Sequence, residues 1–325
     1  MIRLCILLLL LTHLARAEQT DHSEKSFFDN FTKATSTLPF MDQEDPEDLE
    51  NAAALLMSIR LKDSLERQAT KQPMILLPHK PNYIMPFSYT EAPYDDLQRQ
   101  FAGDQWTGFK NIEAMFQISI KYQVYQLDDA NDYKLYVAYT NKSYWQVYNE
   151  NASRPFRETN HEPELFLQMS PEWGPINHVR VGLNHQSNGQ YLGFSRSWNR
   201  ITSGFYHLSG NSIFGIEPWY RIKEQSSGIA DDPTDDDNPD IEKYLGYANF
   251  IWHKQNKRTS RSIRFGNNLR GGSQNRGWVE LEVNFPLGRR FKGFVQYFEG
   301  FGHSLIEYDQ YQRRLGFGIK ITDYL

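Results

Sequence analysis

Residues from Phe109 to the end of the chain alternate apolar and polar side chains with a period of two. The segment "AMFQISIKYQV" is an example, because every second residue from Ala114 to Val124 is apolar or aromatic. Successive side chains of a β-strand point to opposite faces, so each such segment has one apolar and one polar face. About a dozen segments of this kind follow one another, counting one at 82–90. The pattern predicts an all-β chain.

Composition leaves two kinds of all-β protein open. Aromatic residues make up 14% of the chain, its net charge is −5, and no apolar run after residue 17 approaches the length of about 20 residues that a membrane helix needs. The charge gives no basic footprint for nucleic acid. A soluble all-β protein fits these values, and so does a transmembrane β-barrel, whose inward side chains are polar.

The last predicted strand separates these two alternatives. Its apolar residues share one phase: Leu315, Phe317, Ile319, Ile321 and the final residue Leu325. Outer-membrane barrels commonly close with such an amphipathic strand, although an aromatic last residue is more usual than leucine. The even strand count also fits a closed antiparallel barrel. We therefore expect residues 81–325 to form a 12-stranded antiparallel transmembrane β-barrel.

The N-terminal part has a different pattern. Residues 1–17 combine Arg3, an apolar stretch and a small-residue cleavage site, which is typical of a secretory signal peptide. Cys5, the only cysteine, lies in this segment, so the exported chain is expected to contain no disulfide.

Residues 18–80 are expected to form a periplasmic extension, partly helical or disordered. Within it, residues 47–69 predict an amphipathic helix with an apolar face of Leu49, Ala53, Leu56, Ile59 and Leu65. The helix is interpreted as part of a soluble extension, and an arm, a plug of the barrel and a partner-binding helix are the alternatives.

The segment "VRVGLNHQSNGQYLGFSRSWNRI" (179–201) contains a candidate catalytic site. His185 and Ser187 continue the phase of Val179, Val181 and Leu183, which in a barrel faces lipid. Side chains two apart on a strand start about 6–7 Å from each other, within reach of a hydroxyl and an imidazole.

Asn199, on the following strand, could accept the second imidazole N–H. This gives a nucleophile, a base and an orienting group. An amide in the third role avoids the cost of a carboxylate next to hydrocarbon.

The residues alone leave this interpretation open. A His-x-Ser pair is common by chance, and the Gly-x-Ser-x-Gly turn of many hydrolases is absent around Ser187. Polar residues on a lipid-facing wall are costly and are therefore often functional. Catalysis and a simple interfacial role for His185 stand about even on this reasoning.

Five motifs resemble those of the bacterial outer membrane phospholipase A family. They are "LLPHKPNYIMPF" (76–87), "RPFRETNHEPELFL" (154–167), "NHQSNG" (184–189), "SRSWNR" (195–200) and "DDNPDIEKYLGY" (236–247). The resemblance extends from about Leu76 to the end. It implies a twelve-stranded barrel in the outer membrane of a Gram-negative bacterium. It also implies hydrolysis of the acyl esters of phospholipids and lysophospholipids, with phospholipase A1 and A2 activities.

The resemblance also implies roles for individual residues. Ser187 would be the nucleophile, His185 the base, Asn199 the orienting amide and Gly189 the source of an oxyanion-binding N–H. The family is active as a homodimer that binds Ca²⁺ at its interface, where a metal-bound water assists the oxyanion. The implied ligands are the Ser195 hydroxyl and the backbone carbonyls of Gln190 and of Ser153, the last from the partner subunit. Such oxygen donors are the ligands that calcium prefers.

The chain departs from the family pattern in two places. "QYLGF" at 190–194 replaces a loop that in the family often has an arginine followed by polar residues and proline. Asn141 stands where the family has an interface glutamine, and this shorter amide would weaken the dimer.

The sequence allows three other interpretations. The acidic run 231–240 is interpreted as a solvated loop rather than a second metal site, because it lacks the glycine and closing glutamate of a calcium loop. A passive pore is disfavoured because side chains can fill a twelve-stranded interior. A structural barrel without activity is disfavoured because His185, Ser187 and Asn199 occur together.

Overall fold

The structure is a computed structural model that describes residues 46–71, 75–91, 93–128, 133–171, 175–224, 236–288 and 291–322. The predicted signal peptide with Cys5, residues 18–45 and 72–74 of the predicted extension, and Leu325 lie outside these ranges. The division of the chain at residue 80 therefore stays a prediction.

The described residues form thirteen β-strands and three α-helices. The helices are α1 (Pro46–Lys71), α2 (Asp96–Ala102) and α3 (Glu242–Leu245). The strands are β1 (Leu77–Pro78), β2 (Asn82–Thr90), β3 (Ile112–Asp128), β4 (Tyr133–Trp145), β5 (Phe156–Met169), β6 (His178–Ser187), β7 (Ser197–Ser209), β8 (Ser212–Ile222), β9 (Ala248–Asn256), β10 (Thr259–Asn267), β11 (Gly277–Leu287), β12 (Phe291–Gly300) and β13 (Gln312–Thr322).

Strands β2 to β13 close into a barrel. Each pairs antiparallel with its neighbours in chain order, and β13 pairs with β2 to complete the ring. The two-residue strand β1 adds to β3 beside β2. The prediction of a 12-stranded antiparallel barrel is confirmed, with one short extra strand. Because the strands alternate in direction, the connections at 146–155, 188–196, 223–247, 268–276 and 301–311 all lie at one end, called the loop end below.

The wall of the barrel is apolar outside and polar inside. Strand β13 shows the pattern most clearly: Leu315, Phe317, Ile319 and Ile321 are 41–59% exposed, whereas Arg314 and Lys320 are buried. A water-soluble barrel would bury the first set and expose the second. The arrangement is that of an outer-membrane barrel, as the phase of this strand predicted.

Buried charges of the interior are held in ion pairs. Arg157 contacts Glu113 at 2.9 Å and Glu307 at 2.8 Å, and Arg314 also pairs with Glu113. Lys320 pairs with Glu282. Removing one partner of such a pair would leave an uncompensated buried charge, which is strongly destabilising. These pairs tie strands together across the interior and make the wall a rigid support for outward side chains.

Helix α1 packs against the barrel. Asn51 accepts a hydrogen bond from the backbone N–H of Lys257 at 2.9 Å, in the β9–β10 turn, and Glu66 pairs with Lys121 inside the barrel at 2.6 Å. Leu55 is fully buried. The helix therefore contacts polar groups of the barrel, and its role in the predicted extension stays a prediction.

The predicted apolar face of this helix is wrong in part. Leu65 is 46% exposed, whereas the polar Asn51 and Glu66 are buried. The reason is that the helix meets a polar interior, where hydrogen bonds and ion pairs replace apolar packing. None of the helices in the described ranges combines the length and hydrophobicity needed to cross a bilayer.

Candidate active site

The β6–β7 hairpin brings two of the predicted site residues directly opposite each other. His185 is the register partner of Asn199, and Ser187 is the register partner of Ser197. The pairing follows from the short connection between the strands, which fixes their register. His185 and Asn199 therefore lie opposite each other across the hairpin, and Ser187 lies two residues nearer the loop end.

These side chains lie on the outer face of the wall. The alternate residues Asn184, Gln186 and Arg200 line the interior cavity, which has a volume of about 820 Å³. Leu183 and Ile201 have the same phase as His185 and Asn199 and are 52% and 44% exposed. Since neighbouring side chains of a strand alternate between faces, His185, Ser187 and Asn199 point away from the cavity.

A hydrogen bond of 2.9 Å joins His185 Nδ1 to Asn199 Oδ1. An amide oxygen only accepts, so the ring donates through Nδ1–H and its Nε2 carries the lone pair. The amide nitrogen of Asn199 donates in turn to Glu224 Oε1 at 2.7 Å. The imidazole is thus held in the tautomer that a general base requires, with Nε2 as the basic atom.

The third side chain, Ser187, lies on the same face as His185 and Asn199. Within the part of the chain that the structure describes, no hydrogen bond joins its hydroxyl to the His185 ring. Serine and histidine two positions apart need only side-chain rotation to meet, and catalytic hydrogen bonds often tighten only when substrate binds. The spacing is compatible with proton transfer, which the roles below require.

The loop after Ser187 is organised by Asn188, which is 2% exposed. Its amide oxygen accepts from the N–H groups of Gln190 at 3.3 Å and Arg196 at 3.0 Å, and its amide nitrogen donates to the carbonyl of Phe194 at 2.8 Å. One buried side chain therefore closes the loop at both ends. Gly189 follows with φ +62°, in the left-handed region.

The β10–β11 loop has the same internal bonding 80 positions further on, since 268 − 188 = 80. Asn268, also 2% exposed, accepts from the N–H groups of Arg270 and Arg276, both at 3.1 Å, and donates to the carbonyl of Gln274 at 2.9 Å. Leu269 takes the place of Gly189, with φ 55°. The loop skeleton thus forms twice, but only the β6–β7 copy is flanked by His185, Ser187 and Asn199.

A second histidine lies beside Ser187. His161 on β5 is the register partner of Ser187, and its Nδ1 is 2.6 Å from the hydroxyl of Tyr139. A Cβ placed on Gly189 would lie 3.7 Å from His161 Nε2. Asn141, expected at the subunit interface, approaches the same Nδ1 at 3.5 Å. The ring therefore borders the position of the predicted oxyanion donor.

Ser195, the predicted calcium ligand, is bonded to a carboxylate. Its hydroxyl donates to Asp237 Oδ2 at 2.6 Å. Asp236 pairs with Arg221 at 2.5 Å, and Asp240 accepts from the Tyr308 hydroxyl at 2.7 Å. The interpretation of the acidic run as a solvated loop is therefore wrong for its described part, 236–240, because its carboxylates face polar groups of the loop end. Residues 231–235 lie outside the described residues.

The remaining predicted ligands lie at the loop end but are not assembled. Gln190 follows Gly189 in the β6–β7 loop, whereas Ser153, with φ 59°, ends a 3-10 turn (Glu150–Ala152) in the β4–β5 loop. No hydrogen bond links Ser153 to Gln190 or Ser195 within the described ranges. The assignment of Ser153 to the partner subunit stays a prediction.

Sequence reasoning missed four residues that shape the site: His161, Asn188, Glu224 and Asp237. Three of them stand in motifs quoted above: His161 in "RPFRETNHEPELFL", Asn188 in "NHQSNG" and Asp237 in "DDNPDIEKYLGY", so the chemistry of these motifs could have indicated them. Glu224 precedes a turn-rich segment and carries no motif. Its contact depends on the β7–β8 register, which no local pattern reveals.

Comparisons with known proteins place the chain in one family. The family model described as phospholipase A1 matches residues 59–321. The phospholipase A1 of Klebsiella pneumoniae is 31% identical over 255 residues, which cover 77% of this chain and 84% of that protein.

Two solved structures are also similar. The first is an active-site mutant of the Escherichia coli outer membrane phospholipase A with an asparagine replaced by alanine. It is 29% identical, with a TM-score of 0.69, and the match covers 78% of this chain and 94% of that one. The second is the Salmonella typhi outer membrane phospholipase, a dimer with bound calcium. It is 29% identical, with a TM-score of 0.70, and the match covers 80% and 97%. The chain therefore belongs to the phospholipase A1 family and is a hydrolase of the Gram-negative outer membrane.

Proposed function

We propose that the chain hydrolyses the acyl ester bonds of membrane phospholipids and lysophospholipids, with phospholipase A1 and A2 activities, through a Ser187–His185–Asn199 triad. The hydrogen bond between His185 Nδ1 and Asn199 Oδ1, on the outer wall, is the observation that carries the proposal. In the Escherichia coli relative, an asparagine belongs to the active site, and this supports the third role.

In the first half-reaction, the Ser187 oxygen attacks the ester carbonyl while His185 Nε2 takes the hydroxyl proton. The Asn199 oxygen, held on Nδ1–H, keeps the ring in the required tautomer and stabilises the imidazolium. Collapse of the tetrahedral intermediate breaks the bond to the glycerol oxygen, which leaves with the proton from His185. The products are an acylated Ser187 and a lysophospholipid.

In the second half-reaction, His185 takes a proton from water, and the water oxygen attacks the acyl group. The ester bond to Ser187 breaks, the serine oxygen recovers its proton from His185, and a free fatty acid leaves. Gly189 is proposed to donate its N–H to the oxyanion of both intermediates. Loss of one such donor costs about 3–4 kcal/mol in well-studied enzymes.

The residues at the loop end fit a calcium ion by their chemistry. Calcium prefers oxygen donors, including carboxylates and backbone carbonyls. The Ser195 hydroxyl already lies 2.6 Å from the Asp237 carboxylate. We assign the Ser195 hydroxyl and the backbone oxygens of Gln190 and the partner's Ser153 as ligands. The Asp237 carboxylate, which contacts the Ser195 hydroxyl, could provide a further oxygen ligand. When bound, the ion would supply positive charge next to the oxyanion.

The active form is proposed to be a homodimer in the outer membrane. The support is the Salmonella typhi relative, which is a dimer with bound calcium. In this chain, the outward side of the site carries polar groups next to lipid, among them His161, which contacts Tyr139, and Asn141. A second copy seated on this wall would shelter these groups and contribute Ser153.

Covalent labelling of the purified protein tests the assignment of the nucleophile. A fluorophosphonate reacts with an activated serine, so we expect one labelled peptide, containing Ser187, in detergent micelles with calcium. Fatty acid release from phosphatidylethanolamine should fall in proportion to labelling. Labelling of a different serine, or full hydrolysis after complete labelling at Ser187, would overturn the proposal.

A calcium titration tests the assigned ligand Ser195. Ser195→Ala removes one oxygen donor, so we expect the calcium concentration for half-maximal fatty acid release to rise about 10-fold, the effect of roughly 1.4 kcal/mol of binding free energy. The maximal rate at saturating calcium should change less. The matched control is Ser273→Ala in the β10–β11 loop, which should leave the titration unchanged. An unshifted curve for Ser195→Ala would remove this residue from the metal site.

A further inference from the structure

We propose that Glu224 is a positioning residue that selects one of the two orientations of the Asn199 amide and so holds His185 in its catalytic tautomer. The inference rests on the proposed function, because it concerns the third member of the same triad. Neither the sequence motifs nor the assigned catalytic residues include Glu224.

The Asn199 amide can adopt two orientations of similar shape. The oxygen and the NH₂ group of asparagine are nearly equal in size, so rotation by 180° about the last side-chain bond fits the same space. In one orientation the amide accepts from His185 Nδ1–H and leaves Nε2 as a base. In the other it donates to Nδ1, and the proton must move to Nε2, which then cannot accept a proton from Ser187.

The Glu224 carboxylate distinguishes these two orientations. Glu224 Oε1 lies 2.7 Å from the Asn199 amide nitrogen, and the Asn199 oxygen lies 2.9 Å from His185 Nδ1. An ionised carboxylate only accepts hydrogen bonds. If the amide were reversed, its oxygen would face the carboxylate, so that two acceptors would meet. The carboxylate therefore favours the orientation that leaves Nε2 basic.

The pairing of β7 with β8 places Glu224 next to Asn199. Asn199 is the register partner of Ile222, the last residue of β8. Glu224 lies two residues further, so a continuation of the strand brings it to the same outer face. Ile222 is itself 41% exposed on that face. The β7–β8 register thus delivers the carboxylate diagonally to Asn199, within reach of the amide.

Glu224 lies near charged groups of both signs, Asp236 and Arg221. Burial raises the pKa of the Glu224 carboxyl, and the nearby Asp236 acts in the same direction, while the hydrogen bond from Asn199 and the charge of Arg221 lower it. The net effect raises the pKa of Glu224 above its usual value, with burial as the largest cause, and the hydrogen bond from Asn199 opposes this rise because it stabilises the ionised carboxylate. The side chain is half-buried, which limits its contact with water and strengthens its hydrogen bond.

Four side chains at position 224 test orientation selection. Glutamate only accepts, glutamine can accept or donate, alanine does neither, and lysine only donates. Because a hydrogen bond to a charged group contributes about a 10-fold preference, its loss in Glu224→Ala leaves the two amide orientations similarly populated, so we expect kcat to fall about 2-fold with KM nearly unchanged. Glu224→Gln should recover part of the loss, and Glu224→Lys should lie at or below Glu224→Ala because it favours the reversed amide.

A double-mutant cycle tests whether Glu224 acts through Asn199. In an Asn199→Ala background the amide is gone, so adding Glu224→Ala should lower kcat no further. The control Glu299→Ala removes a carboxylate at the same end of the barrel, one that accepts from the hydroxyl of Tyr297 at 2.7 Å. It should leave kcat unchanged. Circular dichroism of each variant checks that the barrel is folded.

Three results would overturn the inference. They are wild-type kcat in Glu224→Ala, equal losses for glutamine, alanine and lysine, and a Glu224→Ala loss that persists in full in the Asn199→Ala background. Each leaves the proposed function standing, provided that the wild-type chain requires Ser187. If Ser187→Ala keeps full activity, the proposed function itself fails, whatever the variants at position 224 do.

Discussion

Ser187→Ala is expected to lower the rate of fatty acid release at least about 1,000-fold, because no other group can form the acyl-enzyme bond once the serine oxygen is gone. The measurement is titration of the fatty acid released from phosphatidylethanolamine in mixed detergent micelles with calcium present. The change removes one oxygen atom from an outward, partly exposed position. Stability should therefore change little, and circular dichroism with thermal unfolding should match the wild type.

The matched control is Ser203→Ala on β7. Ser203 lies in the same hairpin, and among the described residues its hydroxyl makes only a long contact of 3.4 Å, to the carbonyl of Pro218. Its loss should leave the rate within about 2-fold of the wild type. Fatty acid release by Ser187→Ala at the rate of the control would contradict the assignment of the nucleophile.

Asn188→Ala is expected to lower kcat about 100-fold, because two of the groups that it holds in place, the Gly189 backbone and the Gln190–Ser195 loop, belong to the proposed oxyanion and calcium sites. The variant loses the three hydrogen bonds of a buried amide. The free energy of unfolding should fall by about 1–3 kcal/mol, which is a partial loss for a barrel of this size. Steady-state kinetics and thermal unfolding on the same preparation measure the two effects.

Asn268→Ala is the control for the effect of Asn188→Ala on stability. Asn268 has the same burial and the same three hydrogen bonds within the β10–β11 loop, and its amide nitrogen also donates to the carbonyl of Lys243 at 2.5 Å. Its replacement should cost a similar free energy of unfolding while kcat stays near the wild-type value. A comparable loss of activity in both variants would mean that Asn188 acts through general stability, and the proposed role of the loop would be wrong.

Periodicity predicted the barrel because each strand must show one face to lipid and the other to the interior. Leu315, Phe317, Ile319 and Ile321 were assigned to the outer face from their phase alone, and their exposure agrees. Val179 also has the outward phase, since its neighbours His178 and Arg180 line the interior cavity, but it is only 2% exposed. Its register partners are Met169 and Phe205.

Long-range contacts could not be predicted in the same way. The bond between Asn199 and Glu224 depends on the pairing of β7 with β8, and that between Ser195 and Asp237 on the path of the long β8–β9 connection. Neither is encoded in local spacing. The helix at 46–71 was predicted as an element, but its buried side was not, because amphipathic patterns assume an apolar partner and this helix meets a charged one.

The outward direction of His185, Ser187 and Asn199 has a kinetic consequence. A lipid reaches such a group by lateral diffusion within one leaflet, so encounters scale with the mole fraction of phospholipid at the surface rather than with its bulk concentration. Diluting substrate with inert detergent at constant total lipid would slow turnover in the same manner as removing substrate. The turnover rate of this enzyme should therefore depend on the surface concentration of phospholipid rather than on its bulk concentration.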